Sequence, residues 1–370
     1  MPVLEVEDLV VRLRTRDSAT YAVNGISYAV DEGETLGLVG ESGCGKSISS
    51  LAVMGLLPKP AGRVEGGRIR FDGTELLTLS PAQLRRLRGA QLAMISQDPM
   101  TGLNPVLRIE EQLSETFLAH QKLSKAQARE RSVEMLKLVG IPRPEENLRA
   151  YPHELSGGMR QRIMIAMALS LSPKLVIADE PTTALDATVQ AQVLELLRKL
   201  TADSRTAVIL ITHDLGVVAG MTQRINVMYS GYVVETATTT DLFDHPSHPY
   251  TIGLLHSVPR PRSGSVIVPV EGSPPDQHRP PVGCPFAPRC AWRVERCWTD
   301  NPALHPIEGD VPVIMTGPNA THRIACYNPP TPEESDAGRP LSGARPAPPP
   351  EGHASAGADR FAMAAQGVEA

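Results

Sequence analysis

The octapeptide Gly40-Glu41-Ser42-Gly43-Cys44-Gly45-Lys46-Ser47 limits what this chain can fold into more than any other feature. It follows an apolar run, Thr35–Val39, and opens a helix-like stretch over residues 48–56. Strand, loop and helix in that order are the setting in which G-x-x-x-x-G-K-[ST] cradles phosphate. The glycines let the backbone curl until successive N–H groups point inward at phosphate oxygens, and the helix N-terminus adds partial positive charge. Lys46 supplies a full charge to β- and γ-phosphates, and Ser47 offers a hydroxyl to Mg²⁺. The competing reading is a tight strand–helix turn that happens to carry a lysine.

Three further apolar runs match the one before the loop: Leu92–Ile95, residues 175–178 and residues 207–211. Such runs suit strands of a parallel sheet covered on both faces. Each ends at polar residues, namely Ser96–Gln97, Asp179–Glu180 and Thr212–His213. Open parallel sheets bind ligands at the carboxyl ends of their strands, so four such ends predict one site. From 98 to about 168 the pattern turns helical, with Ser124 ahead of an amphipathic stretch at 126–139. The expected fold class is α/β, with a helical insertion in the core.

Leu175-Val176-Ile177-Ala178-Asp179-Glu180 is an apolar strand ending in two carboxylates. Asp179 can hold Mg²⁺, directly or through water, and Glu180 can orient and polarise an attacking water. Capping of the next helix is the alternative role. In Leu155-Ser156-Gly157-Gly158-Met159-Arg160-Gln161-Arg162, Ser156 is a natural N-cap for a helix running to Leu169. Gly157 and Gly158 leave amides open there, a second helix terminus suited to phosphate.

Composition excludes some classes. Among 370 residues the net charge is −5, so no basic excess meets a nucleic-acid backbone. No apolar run approaches the ~20 residues of a membrane span, and the first eleven residues lack a signal-peptide layout. A cytoplasmic chain that reaches membranes through partners is expected.

The phosphate loop, LSGGMRQR, LVIADEPTTALD and His213 in ITHD match the ABC ATPase family in order and spacing, over about residues 3–255. That resemblance implies a RecA-like parallel-sheet core with a helical subdomain at about 98–168 and ATP hydrolysis with Mg²⁺. It implies that Gln97 contacts Mg²⁺ or the nucleophilic water, that His213 contacts the γ-phosphate, and that Asp186 lies in the loop crossing a dimer interface. Ser156 and Gly158 would then touch the γ-phosphate of ATP held by a second ATPase subunit. ATP so sandwiched closes the dimer, and hydrolysis reopens it. The family carries an adenine-stacking aromatic where this chain has Leu13; Tyr21 is the nearest aromatic, and a plain core or surface tyrosine is the alternative.

Gln97-Asp98-Pro99-Met100-Thr101-Gly102-Leu103-Asn104-Pro105, Tyr151-Pro152-His153-Glu154 and His245-Pro246-Ser247-His248-Pro249-Tyr250-Thr251 resemble the oligopeptide and dipeptide permease ATPases. Met100-Thr101 and Val53-Met54-Gly55-Leu56-Leu57 resemble its D-type subunit. The resemblance implies an F-type ATPase partner, with a homodimer as the alternative, two transmembrane permease subunits, an extracytoplasmic solute-binding protein and a place on the cytoplasmic membrane face. Nickel or another small solute is the alternative cargo, and a DNA-repair or ribosome-associated ABC ATPase the alternative class.

Residues 256–330 are Pro-rich and hold four cysteines, Cys284, Cys290, Cys297 and Cys326, while Cys44 sits in the phosphate loop. Such a segment is expected to need more than packing to fold, which points to a metal staple, with free structural thiols as the alternative. The gaps of five, six and twenty-eight residues lack the short pairs of structural zinc sites. By resemblance, Gly283-Cys284-Pro285-Phe286-Ala287-Pro288-Arg289-Cys290 looks like the region that holds a [4Fe–4S] cluster in some peptide-permease ATPases, with zinc as the alternative metal. Residues 331–370, poor in large apolar side chains, are expected to be disordered.

Overall fold

The computed structural model describes residues 2–14, 18–98, 102–183, 185–257, 270–279, 282–307 and 322–331. Pro99, Met100 and Thr101, Ala184, and the tail from 332 onward lie outside the described residues. The chain divides into two compact units, each assembled from separated stretches of sequence.

The first unit comprises Met1–Glu5, Ala29–Gly37 and Arg70–Thr212. In it Leu92–Ile95, Leu175–Asp179 and Ala207–Thr212 run parallel, Leu92 opposite Leu175 and Leu175 opposite Ala207. Every residue of the last two strands is buried. Strands covered on both faces need apolar side chains on both, and so these runs do not alternate. Two helices, Ile109–His120 and Lys125–Leu138, pack against each other in the expected helical region. Ser124 starts the second with a capping box: its hydroxyl accepts from the Gln127 N–H at 3.3 Å, and Gln127 Oε1 accepts from the Ser124 N–H at 2.9 Å.

The second unit comprises Val6–Tyr28, Leu38–Ile69 and His213–Ala370. Its hairpin pairs Arg224–Tyr229 with Tyr232–Thr238 through Ser230 and Gly231, both at positive φ (47° and 83°). Two left-handed residues match the twist of a two-residue hairpin. Sequence analysis missed this hairpin because Ser-Gly is a weaker turn signal than Asn-Gly. Arg323–Ile324 adds antiparallel to Tyr232–Thr238, and His305–Pro306 adds to Arg323–Ile324.

The C-terminal region corrects one expectation. Its Phe286 and Cys290 are buried in a cluster shared with Tyr229, Tyr250 and aliphatic residues such as Ile225, Val227 and Leu242. The Phe286 ring centroid lies 5.2 Å from that of Tyr229, edge-on, and 5.5 Å from that of Tyr250. Aromatic pairs in such geometry contribute about 0.5–1.5 kcal/mol beyond their area burial. The segment packs on side chains supplied by residues 215–255 and so does not need periodic aliphatics of its own. Among the described residues no helix is long and apolar enough to cross a membrane.

Candidate functional site

In the second unit the phosphate loop takes the shape its glycines permit. Gly40, Gly43 and Gly45 all have positive φ, at 151°, 80° and 105°. A side-chain carbon on Gly40 would run into the Met228 carbonyl oxygen, and one on Gly45 into that of Ala22. At these two positions the loop packs too closely on neighbouring backbone to admit a larger residue. Gly45 precedes the helix Lys46–Val53, and the Ser49 N–H closes its first turn on the Gly45 carbonyl at 2.9 Å. Lys46 is buried, and its ammonium donates to the carbonyls of Gly40 at 2.7 Å and Glu41 at 2.9 Å. Its charge is thereby held over the loop. Burial pushes the Cys44 thiol up, only partly offset by Lys46. Ser42 and Gly43 are exposed, and Ser47 is half-buried.

Tyr21 is half-buried in the same unit, and the Arg12 guanidinium lies 4.2 Å from its ring centroid. Arg12 is itself anchored on the Val23 carbonyl at 2.7 Å and on Asn24 Oδ1 at 2.9 Å. One ring face is therefore engaged by a cation. His213 is exposed at the start of the unit's last stretch, and Asp214 beside it caps the helix Leu215–Met221.

In the first unit, Asp179 is buried at the end of its strand, and Glu180 follows with φ +45°. A non-glycine residue in the left-handed region is strained, and such strain gathers at functional sites. The Glu180 N–H is fixed to the Ile211 carbonyl at 2.8 Å. Its carboxylate Oε2 accepts from Gln97 Nε2 at 2.9 Å and from the Thr183 hydroxyl at 2.9 Å. Gln97 and Glu180 lie 83 positions apart, at the ends of the adjacent strands Leu92–Ile95 and Leu175–Asp179. Parallel pairing brings these two ends together.

Ser156 caps the helix Gly157–Leu169, its hydroxyl accepting from the Met159 N–H at 3.3 Å. Gly158 also has a packing role, since a side-chain carbon there would come within 2.7 Å of Val189 Cγ1. Asp186 caps the helix Ala187–Ser204, accepting from the N–H groups of Thr188 at 3.1 Å and Val189 at 3.0 Å. Arg160 ties the glycine-bearing helix to the preceding turn, donating to the Pro152 carbonyl at 2.7 Å.

The four C-terminal cysteines are free thiols. Burial pushes Cys284 up to about 11 and Cys290 and Cys326 up to about 12. Their charges also act on one another, so they share a neighbourhood. Even so, among the described residues no group of three or more His, Cys, Asp or Glu side chains is arranged to hold a metal ion. The thiols as they stand do not fit an iron–sulfur cluster, and Cys290 instead packs with Phe286 and Tyr250.

Sequence reading missed the contacts that reach the phosphate loop from the C-terminal region. The Tyr250 hydroxyl accepts from the Glu41 N–H at 2.8 Å, and Arg289 pairs with the Glu41 carboxylate at 2.9 Å. The His-Pro-Tyr motif was the visible signal for the first of these. Its chemistry is now clear: burial holds His248 down at about 4, so the neutral ring accepts the Tyr250 N–H on Nδ1 at 3.1 Å.

A phosphate cradle after an apolar strand, with an acidic pair ending a parallel strand, defines a P-loop nucleotide-binding cassette. The family described as ABC transporter matches residues 23–183, and the oligopeptide/dipeptide transporter C-terminal region matches 234–297. The dipeptide transport ATP-binding protein DppD of Bacillus subtilis is 52% identical over 296 residues, covering 80% of this chain and 88% of that protein. The oligopeptide transport ATP-binding protein OppD of Salmonella typhimurium is 52% identical over 295 residues, with the same coverage of 80% and 88%. A solved dimer of the ATP-binding cassette MJ0796 in a post-hydrolysis state, bound to ADP and Pi, superposes with a TM-score of 0.58 at 26% identity. It covers 64% of this chain and 98% of its own. This chain belongs to the ABC transporter family, among the ATP-binding proteins that include DppD and OppD.

Proposed function

We propose that the chain is the ATP-hydrolysing subunit of an importer of dipeptides or oligopeptides. The observation that carries this reading is the 52% identity to DppD over 80% of the chain, a span long enough to take in the C-terminal region. Residues 1–255 act as the nucleotide-binding domain and 256–330 as its peptide-permease-type extension. Gly40 to Ser47 bind the triphosphate, with Lys46 on the β- and γ-phosphates. Ser47, Asp179 and Gln97 would hold Mg²⁺, which when bound neutralises phosphate charge. Glu180 orients water, with Gln97 as its partner, and His213 contacts the γ-phosphate. Ser156, Gly157, Gly158 and Asp186 serve the nucleotide held by a second ATPase subunit of F type. Two permease subunits dock the pair at the cytoplasmic membrane face, and a solute-binding protein delivers cargo. The [4Fe–4S] cluster has no part in this reading, because the described thiols are not arranged to hold one.

The chain co-expressed with an F-type ATPase and two permease subunits, and reconstituted in vesicles, tests this. Peptide-loaded binding protein should raise ATP turnover several-fold. Full turnover by the isolated chain, indifferent to peptide, would remove the transport reading, and stimulation by nickel alone would favour the other cargo.

Tyr21 stacks on adenine with the ring face that Arg12 does not engage. Base stacking contributes about 1–3 kcal/mol, so Tyr21→Ala should weaken ATP binding by about 5- to 100-fold and Tyr21→Phe should be nearly silent. An unchanged affinity in Tyr21→Ala eliminates the role.

A further inference from the structure

The phosphate loop is gripped from outside by side chains that come more than 200 positions later in the chain. Arg289 donates to both oxygens of Glu41, Nη1 to Oε2 at 2.9 Å and Nη2 to Oε1 at 3.0 Å. Its remaining donors reach the Tyr229 hydroxyl at 3.2 Å, the Val270 carbonyl at 2.9 Å and the Glu271 carbonyl at 2.8 Å. All five N–H groups of a guanidinium are thereby used, a pattern that a lysine cannot reproduce. The side chain is 5% exposed and that of Glu41 is 25% exposed, so water screens this pair weakly. Two more contacts fall on the same loop. The Tyr250 hydroxyl accepts from the Glu41 N–H at 2.8 Å, and Gln277 Nε2 donates to the Gly43 carbonyl at 2.9 Å. Gln277 is positioned in turn by its own carbonyl, which accepts from the Tyr21 N–H at 2.8 Å.

These contacts matter because of what they restrain. A carboxylate at the second position of a phosphate-binding loop repels a triphosphate unless it is neutralised and held aside. A loop carbonyl turned toward phosphate would repel it likewise. Arg289 neutralises Glu41 and fixes its direction, Tyr250 fixes the peptide at Glu41, and Gln277 engages the carbonyl at Gly43. We propose that Arg289 and Gln277 of the C-terminal region, with Tyr250 just before it, are a positioning set that holds the phosphate loop in its ATP-binding shape. The inference rests on the assignment of that loop to ATP. It adds that nucleotide affinity depends on the C-terminal region. None of the three side chains touches reacting atoms.

The full-length chain, titrated with Mg²⁺ and a non-hydrolysable ATP analogue, tests the proposal, with melting temperature measured without nucleotide. Arg289→Ala should weaken binding about tenfold, because the Glu41 carboxylate is then neither neutralised nor held aside from phosphate. Tyr250→Phe, which keeps the aromatic packing, should weaken it about threefold by leaving one loop N–H unpartnered. In the reconstituted transporter both should raise the KM for ATP and leave kcat within about twofold. In a Glu41→Gln background the Arg289→Ala effect should largely vanish, because the two side chains act as one unit. Unchanged affinity with a lowered melting temperature would reduce the contacts to ordinary stabilisation and overturn the proposal. Independent, multiplying effects in the double variant would overturn it also. Should Arg289→Ala fail to fold, Tyr250→Phe and Gln277→Ala decide the matter. Lys46→Ala separates the two readings: if it leaves binding intact, the phosphate-loop assignment fails, whereas its loss of binding beside a silent Tyr250→Phe sinks the positioning set alone.

Discussion

Glu180→Gln is expected to bind ATP within about threefold of the unaltered protein and to lose turnover by about 10²–10⁴-fold, the usual contribution of a positioned acid–base group. The substitution keeps size and shape, so the left-handed backbone at φ +45° and the bond from the Glu180 N–H to Ile211 should persist. It removes the charge that accepts from Gln97 and Thr183. The amide oxygen can still accept from both, but it cannot polarise water as a carboxylate does. Nucleotide should therefore accumulate on the protein unhydrolysed. Lys46→Ala should behave in the opposite way and lose binding itself, because the ammonium over the Gly40 and Glu41 carbonyls is the loop's own full positive charge. Measured in the assembled transporter, near-normal turnover in Glu180→Gln would remove its assignment.

Gly45→Ala should abolish measurable ATP binding, a loss of more than about 100-fold. Left-handed backbone costs an L-residue about 1–2 kcal/mol before any contact is considered. At Gly45, φ is +105°, and the added carbon would overlap the Ala22 carbonyl oxygen, which is backbone and cannot swing away. Relief requires the loop to shift, and the loop's value lies in where its amides point. Gly43→Ala is the contrast: φ is +80° there too, but no atom lies within 4 Å of an added carbon, so its loss should be smaller. Equal losses at the two positions, read by nucleotide titration, would mean that conformational freedom alone decides. An unimpaired Gly45→Ala would show that the cradle does not set affinity.

The runs Thr35–Val39, Leu92–Ile95, Leu175–Asp179 and Ala207–Thr212 were legible as strands because burial on both faces leaves no polar position to blur them. Ser124 and Ser156 were legible as caps because a cap is a local bond, closed within three residues. The hairpin from Arg224 to Thr238 was not: its strands carry Asn226 and Glu235 in buried positions, and so they break the apolar pattern. Glu235 is tolerated there because distant groups satisfy it, the N–H groups of Ser247 and His248 at 2.9 and 3.0 Å and His322 Nε2 at 2.6 Å.

The linear chain by itself determined the phosphate loop, the acidic pair after its strand and the family, since each is written in contiguous residues whose spacing is the chemistry. Tertiary structure alone decided what the C-terminal region packs against and which loop its side chains reach. Cysteine clustering in a Pro-rich segment suggested a metal staple there, whereas the folded chain buries Phe286 in a shared apolar cluster and sets Arg289 on Glu41. A bond between residues 248 positions apart leaves no periodic trace in the sequence. It exists because burying Arg289 requires partners for all five of its donors, and only the folded chain collects them.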